Sequence, residues 1–599
     1  GVKGIGEKTA TSLIQTFGTI ENIYKALKKG KNEYKKAGIS DRIAELLLAN
    51  EEEALFSKTL ATIRHDAPID FKLPTSWRNN LNIDVLIERF RTLEFRTMGE
   101  RVKMLLSTLD NKKSGVAAPK TAKNIPTTKT MEKSDKDLCL MLWVIDSNLT
   151  NPTDEDIFRF TKTDNLEAAK KVLEAELDKR EVRKIYEDIE KPLRPVVEKM
   201  NERGIKVDKK SLLELSKDYH KTLKGLEEKI WKMAGEEFNI NSPKQMGEIL
   251  FTKMNLAGKR QKKTATGNFS TKESELEKLK DLHPIIDCIL EYRELQKLLS
   301  TYIDTIPTQL DDGGRLHSEF LQAGTTTGRM GSINPNLQNI PIKTELGRNI
   351  RKAFVAENGF ALVALDYSQI ELRIAAILSE DKKLIDIFKK GEDVHTGVAV
   401  RVFGVKPEDV TKQMRIKAKT INFGILYGMG VSALRANLKT DRKEAQEFYN
   451  NYFETFKELA AYLDQVKAET ERKGYTETLF GRRRYFAGIK SPLPFIKAQA
   501  ERMAINAPIQ GTQADLIKIA MKRIDDHLKE KEIENDAHLV LQVHDEVVYE
   551  VKEELAKELA IKFKEIMENV LSLEETKGIP IVAEAHVGEN WNEMKRMHP

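Results

Sequence analysis

Two stretches of this chain combine strand-like apolar runs with carboxylates. Residues 539–551, LVLQVHDEVVYEV, are almost all β-formers, yet their centre carries His544, Asp545 and Glu546. A buried ionised carboxylate is costly unless it is paired or coordinates a cation. The run therefore either bends and lifts the acids into water, or uses them to hold metal. Residues 360–378, FALVALDYSQIELRIAAIL, begin as a buried-strand run and then change period, with Ile370, Ile374, Ile377 and Leu378 forming a helical stripe. Asp366 is thereby placed at a strand's C-terminal end, just before a helix. Alone, it reads as a helix N-cap. With Asp545 it reads differently. Two acid-bearing strands in one sheet can gather both carboxylates around a pair of divalent cations, as in-line phosphoryl transfer requires.

A third stretch, QMRIKAKTINFGILYGMG (413–430), carries Arg415, Lys419, Phe423 and Tyr427 at a strict four-residue spacing. On a helix each such step drifts by only about 40°, so the four form one slowly winding ridge. A core stripe would omit Arg and Lys; a charged surface ridge would need neither the rings nor Gly424 and Gly428 among them. Two cations followed by two rings match a triphosphate followed by sugar and base. His395, in EDVHTGVA, reads either as a further phosphate contact or as a structural residue. The triplet Asp188-Ile189-Glu190 has the D-x-E pattern of two-metal exonucleases, but Val182, Ile185, Ile189, Leu193, Val196 and Val197 recur at helical spacing. On a helix, positions i and i+2 diverge by about 200°. The triplet is therefore expected to lie on a solvated helix face, and proofreading is not expected.

The remaining pattern divides the chain. Residues 1–105 read as short helices with glycine-marked turns. Residues 106–136 are rich in Lys, Thr and Pro and nearly free of large apolar residues, as a flexible linker is. Residues 137–180 hold a small apolar segment and a charged helical stretch, and from 181 onward the chain reads as one large α/β body. Within it, 211–300 is long and helical, with the basic interruption GKRQKKTATGN (258–268) in its middle. There is no internal repeat. The opening GVKGIGEKTATSLI sets Gly1, Gly4 and Gly6, with Lys3 and Lys8, before an amphipathic helix bearing Ala10, Leu13 and Ile14. Backbone amides freed by glycine and aided by lysine can grip phosphate at a helix N-terminus, so the stretch reads either as a helix-hairpin-helix or as an ordinary Gly-rich turn.

Composition narrows the class. A length of 599 residues suggests roughly three to five domains. The net charge is only +6, because 99 basic residues nearly cancel 93 acidic ones. An anionic partner is thus met by local patches, not by a polybasic tail. Cys139 and Cys288 match no disulfide or metal spacing and suit a reducing cytoplasm. No apolar run reaches the ~18 residues of a membrane helix, and no signal peptide is read at the start. The first residue is not methionine and falls inside a motif, as expected of a piece of a longer chain.

The segments DYSQIELR, RIKAKTINFGILYG and QVHDE resemble the three ordered motifs of the DNA polymerase I family (family A). TTTGRMGSINPNLQNIP (325–341) and NAPIQGTQAD (506–515) are similar to that family's template-primer contacts, and GIGEKTA resembles the DNA-binding hairpin of bacterial 5′-nuclease domains. The resemblance implies a multidomain α+β fold, a right-hand polymerase with an antiparallel-sheet palm, preceded by an all-α helix-hairpin-helix DNA-binding domain. Its parts would be a 5′-nuclease-like piece (1–105), a linker (106–136), an exonuclease remnant (137–180) and the polymerase body (181–599). Within the body, the thumb would be near 211–300, the fingers near 372–495, and the palm near 300–371 and 496–599.

The resemblance also implies roles. Asp366 and Asp545 would bind two Mg2+ ions, with Mn2+ as a substitute, Tyr367 adding its main-chain carbonyl and Glu546 an accessory carboxylate. Arg415, Lys419 and His395 match triphosphate contacts, and Phe423 the residue packing on the sugar. Tyr427 matches the residue at the templating position, Glu371 the gate against a 2′-hydroxyl, and Gln369 lies with them in the nucleotide site. Arg329 and Gln510 match minor-groove contacts near the primer end. Asn339, Asn506 and His544 would support the primer-template, Lys262 and Lys263 the duplex phosphates, and Gly4, Gly6 and Lys8 the duplex at the hairpin. Expected partners are primed DNA and deoxynucleoside triphosphates, with no membrane, for a monomer that is cytoplasmic and nucleoid-associated if bacterial. The 5′-nuclease acids lie upstream of such a hairpin, so nuclease catalysis is not expected. Gly430 and Ala487 depart from the common serine and proline of the pattern. A single-subunit RNA polymerase is disfavoured by Glu371 and Glu546, and a catalytically dead binding module by the completeness of the acid and cation set.

Overall fold

The structure, a computed structural model, describes residues 2, 5–30, 35, 39–61, 85, 86, 89, 135–256, 262–264, 267 and 269–597. The chain divides into two compact units, Gly1–Pro126 and Thr127–Pro599. The first contains helices α1 (Glu7–Phe17), α2 (Ile20–Lys28), α3 (Asp41–Ala49) and α4 (Glu51–Ala61). Gly18 leaves α1 at φ 78°, a left-handed conformation natural to glycine, and Thr19 then caps α2 by accepting from the Asn22 amide. Leu13, Ile23, Tyr24 and Leu27 meet in a small core, whereas Ile14 on α1 is exposed. Gly6 caps α1; Gly4 and the Lys8 side chain, expected with it in the DNA-binding hairpin, lie outside the described residues, as does the linker up to residue 134.

The second unit begins with α5 (Lys136–Ile145), apolar all round because Leu138, Leu142, Trp143 and Ile145 are all enclosed. A π-helical turn, Ile185–Glu190, leads into α6 (Lys191–Arg203), and α7 (Lys209–Ala234) and α8 (Ile285–Leu298) pack on one another in the helical region. The principal sheet has five strands, β1 (Phe360–Tyr367), β2 (Ala537–Val543), β3 (Glu546–Lys552), β4 (Ala583–Gly588) and β5 (Met594–Arg596). Their order is β5-β4-β1-β3-β2, and every neighbouring pair is antiparallel. β1 is central, so Leu362 through Leu365 are all buried and the strand reads as a continuous apolar run. Between β1 and β2 lie α9 (Ile370–Ser379), α10 (Val394–Phe403), α11 (Lys412–Leu426) and the 37-residue α12 (Pro494–Glu530). Helix α13 (Ala556–Glu568) packs on β1 and β4. Among the described residues, no helix is long and apolar enough to cross a membrane.

The Asp188-Ile189-Glu190 triplet is helical, and its acids diverge. The expectation of a solvated face holds for Asp188 only: Glu190 is fully buried and accepts from Arg482 and from Lys518 Nζ at 2.6 Å. Helical spacing tells which residues share a face, not which distant segment covers it.

Glu550 of β3 is handled in the same way. It is fully buried and accepts from Arg203 Nη2 at 2.7 Å and Arg315 Nη2 at 2.6 Å. Desolvation opposes its ionisation, yet the two guanidinium groups hold its pKa below the usual glutamate range. A depressed carboxylate stabilises the fold above its unfolded pKa of about 4.3 and ceases to do so as pH falls through the folded value. Glu550→Gln should therefore cost about 3 kcal/mol at pH 7, read as a lower thermal midpoint, and the gap to wild type should narrow as the pH is taken below ~4. Equal midpoints at pH 7 would contradict this role.

Candidate active site

Strands β1 and β3 make the site. Their register sets Asp366 opposite Glu546, while β4 sets Glu584 opposite Asp366 on the other side. Only His544 and Asp545 join β2 to β3; Glu546 is already in the ladder, opposite Val543. His544 takes φ 56°, uncommon for a residue with a side chain, and the buried Gln542 steadies the turn by donating to the His544 carbonyl at 2.9 Å. The Tyr367 amide donates to the Asp545 carbonyl at 3.2 Å. These contacts set the Asp366 and Asp545 carboxyl groups side by side.

Asp366 keeps an exposed side chain, yet desolvation by the surrounding chain, and then Asp545 beside it, push its pKa up to about 8; Glu546 and Glu584 add to the rise. Desolvation raises Asp545 as well. Two carboxylates in contact cannot both stay ionised without a cation. Glu546 is held apart from this pair: Trp591 Nε1 donates to it at 3.3 Å, and Arg351 lies 3.9 Å away with its guanidinium 3.8 Å from the Trp591 ring centroid. Tyr367 buries its ring and donates its hydroxyl to the Met567 carbonyl at 2.9 Å, so only its main chain is left to face the acids. Among the described residues, no group of three or more His, Cys, Asp or Glu forms a metal cage. The pair offers hard oxygen donors, which fit Mg2+ when water and phosphate oxygens complete its octahedron.

The ridge on α11 forms as its spacing predicts. Arg415 and Lys419 are exposed, Phe423 is half-buried, and Tyr427 ends the helix with an exposed ring. Gly428 follows at φ 68°, and a Cβ there would come within 2.7 Å of Arg502 on α12, which explains the small residue. Arg415 makes a two-pronged pair with Asp393, at 3.0 and 2.9 Å, and despite desolvation Arg415 and Thr396 bring the Asp393 pKa down to about 2. His395 is not on the surface. It is buried behind Phe423, ring centroids 5.7 Å apart, and 3.2 Å from Asn422 Nδ2.

A chain of hydrogen bonds links the helices to the sheet side of the site. The Tyr427 hydroxyl donates to Glu371 Oε2 at 3.0 Å and Arg329 Nη2 donates to Glu371 Oε1 at 2.6 Å, with Gln510 beside the Tyr427 hydroxyl. Arg329 further donates to Gln513, buried one turn beyond Gln510 on α12. Gln369 begins α9 at φ 55°. Asn506 lies one turn before Gln510, and exposed His544 sits on the turn beside Asp545. Asn339 lines a separate cleft with Arg293, Tyr302 and Thr344, and Lys262 and Lys263 are exposed. Sequence reasoning missed Gln513, Glu584, Arg351 and Trp591. Only Gln513 had a local signal, its i+3 spacing from Gln510.

Residues 209–593 match the family model of DNA polymerase family A. The chain belongs to that family. Residues 1–83 match the 5'-3' exonuclease, C-terminal SAM fold. The polymerase is 36% identical over 655 residues to the thermostable DNA polymerase I of Thermus thermophilus, covering 99% of this chain and 76% of that protein. It is 36% identical over 680 residues to DNA polymerase I of Caldicellulosiruptor bescii, covering 99% and 78%. Among solved structures, the POL domain of Pol1 from M. smegmatis, in complex with DNA primer-template and dNTP, aligns with a TM-score of 0.71 and 34% identity over 76% of this chain and 81% of that one. The polymerase is a DNA-directed DNA polymerase, its reaction is template-directed DNA synthesis, and its catalysis is metal-dependent.

Desolvation, with Lys419 and Arg415 nearby, pushes the His395 pKa down to about 4 against the pull of Asp393. In selectively labelled polymerase, the His395 resonance should stay constant from pH 8 to 6 and titrate near 4. A midpoint at the ordinary value of ~6.5 would contradict its burial.

Proposed function

We propose that Asp366 and Asp545 hold two Mg2+ ions, Tyr367 lending its main-chain carbonyl, while the polymerase joins a primer 3′-hydroxyl to an incoming deoxynucleoside triphosphate and releases pyrophosphate. The observation that carries this is the contact of two carboxyl groups at neighbouring strand ends, one with its pKa raised to about 8. When bound, the cations, for which Mn2+ substitutes, lower the pKa of the 3′-hydroxyl and neutralise charge on the triphosphate and pyrophosphate. Glu546, restrained by Trp591 and Arg351, has an accessory role.

Arg415 and Lys419 grip the triphosphate, which displaces Asp393 from Arg415. Phe423 packs on the sugar with His395 behind it, and Tyr427 occupies the templating position. Glu371, with Gln369 nearby in sequence, excludes a 2′-hydroxyl, because a hydroxyl pressed against a filled pocket loses both contact and hydration. Arg329 and Gln510 donate to purine N3 or pyrimidine O2 in the minor groove. Every correct pair presents these acceptors, so the contacts check geometry and not sequence. Asn339, Asn506 and His544 support the primer-template, Lys262 and Lys263 the duplex phosphates, and Gly4, Gly6 and Lys8 the duplex at the hairpin, with binding that weakens as salt rises. In this reading residues near 211–300 form the thumb, those near 372–495 the fingers, and the rest of 300–599 the palm. The polymerase works as a monomer on primed DNA and, in a bacterium, in the cytoplasm at the nucleoid. The divergence of Asp188 and Glu190 supports the absence of proofreading.

One primer-extension series tests this reading. Asp366→Ala and Asp545→Ala should each lower extension by about 10³-fold or more while leaving affinity for the primed duplex nearly unchanged, and retained extension would remove the metal assignment. Glu371→Ala should raise ribonucleotide incorporation; an unchanged ratio would remove the gate. A 5′-labelled primer given Mg2+ without nucleotides should keep its length, and shorter products would reveal proofreading.

A further inference from the structure

Behind the loop that carries Arg329 lies a buried cluster that none of the proposed chemistry uses. Glu190 accepts from Lys518 Nζ at 2.6 Å, from Gln322 Nε2 at 2.9 Å and from Arg482. Arg482 also donates Nε to Asp515 at 2.8 Å. The four charges, two of each sign, are all buried. Trp143 of α5 closes the cluster, its ring centroid 5.1 Å from the Arg482 guanidinium and 4.9 Å from Lys518 Nζ.

The cluster grips residues 325–329 at several points. Trp143 Nε1 donates to the Thr325 carbonyl at 2.9 Å, and the Thr325 hydroxyl donates to the Arg329 carbonyl at 2.7 Å. The Arg482 side chain lies on Gly328, where φ is 91° and an added Cβ would come within 2.9 Å of Arg482 Cδ. Beyond the loop, Arg329 donates to Glu371 and Gln513. Asp515 and Lys518 share α12 with Gln510 and Gln513, so the same charges fix the helix that Arg329 leans on. Trp143 and Glu190 lie outside both matched family spans, 1–83 and 209–593.

We propose that Trp143 and Glu190 are positioning residues for Arg329. They lock the 325–329 loop and α12 into one frame, so that residues ahead of the matched polymerase span, 209–593, set how strictly the primer terminus is checked. The proposal rests on Arg329 being a minor-groove contact. A balanced buried cluster is stiff because losing one member strands an opposite charge, and a donor moved by about 1 Å forfeits its hydrogen bond.

The test compares kcat/KM for extension of matched and mismatched primer ends by the full chain. Trp143→Phe keeps an aromatic ring but removes the five-membered half of the indole with its N–H; Glu190→Gln keeps the shape and removes the charge. Trp143→Phe should lower the matched-to-mismatched ratio by at least about fivefold, the worth of the lost hydrogen bond alone. Arg329→Ala should lower it at least as far, and the double variant no further than Arg329→Ala alone. An unchanged ratio in Trp143→Phe, with Arg329→Ala lowering it, overturns the positioning role, and so does an additive loss in the double variant. If Arg329→Ala leaves the ratio unchanged, the minor-groove reading falls and takes this proposal with it. Should Glu190→Gln fail to fold, Trp143→Phe alone decides the matter.

Discussion

Everything at the site depends on the register of β1 against β3. Pairing Asp366 with Glu546 in the ladder, and the Tyr367 amide with the Asp545 carbonyl, forces two carboxyl groups into contact. Two acids side by side repel once ionised, so this register survives only because apolar neighbours fix it. Leu362, Val363, Leu365, Val547 and Val548 are buried around the strand pair, and slipping by one residue would exchange the side chains that pack on each face of the sheet and undo that packing. The hydrophobic ribbon is thus the reason an electrostatically unfavourable pair keeps its place. A slip of one residue would also part the acids, so stability and site geometry select the same register.

The protein treats its clustered acids in two ways. Glu190 and Glu550 are fully enclosed, and each is met by two basic side chains. Those acids are structural: they tie distant segments together, and their charge is cancelled within the fold. Asp366 and Asp545 face each other instead, and the folded chain leaves the Asp366 pKa near 8. The same physics separates the two classes. An acid whose charge the protein cancels builds structure; a pair whose charge is left uncancelled has capacity for a cation. Arg415 shows the complementary case, a surface cation parked on Asp393 through an exposed pair, which gives way easily because such pairs are individually weak.

Much of this was legible in the sequence because it is local. The switch from strand to helix period put Asp366 at a strand end, and four-residue spacing set Arg415, Lys419, Phe423 and Tyr427 on one ridge. What was not legible is non-local. Nothing near Glu190 announces that Arg482 and Lys518, some 300 residues on, will cover it. Trp591 and Glu584 reach the site only because β4 pairs with β1 across more than 200 residues of chain. His395 carries the right chemistry for phosphate, but the spacing of its helix does not reveal that Phe423 and Asn422 will close over it. The bend between β2 and β3 is two residues long, since the first arm runs through Val543 and the second already starts at Glu546.

The central claim is that β1 and β3 gather Asp366 and Asp545 around a shared pair of cations. It is tested most directly by crystals of the polymerase with primed DNA and an incoming deoxynucleotide grown in Mn2+, read by anomalous scattering. Two peaks are expected, each within roughly 2.1 Å of oxygens from both aspartates, with Glu546 outside the first coordination sphere of at least one. Peaks bound by Glu546 or Glu584 in place of Asp366 or Asp545, or no peak between the two strand ends, would contradict it.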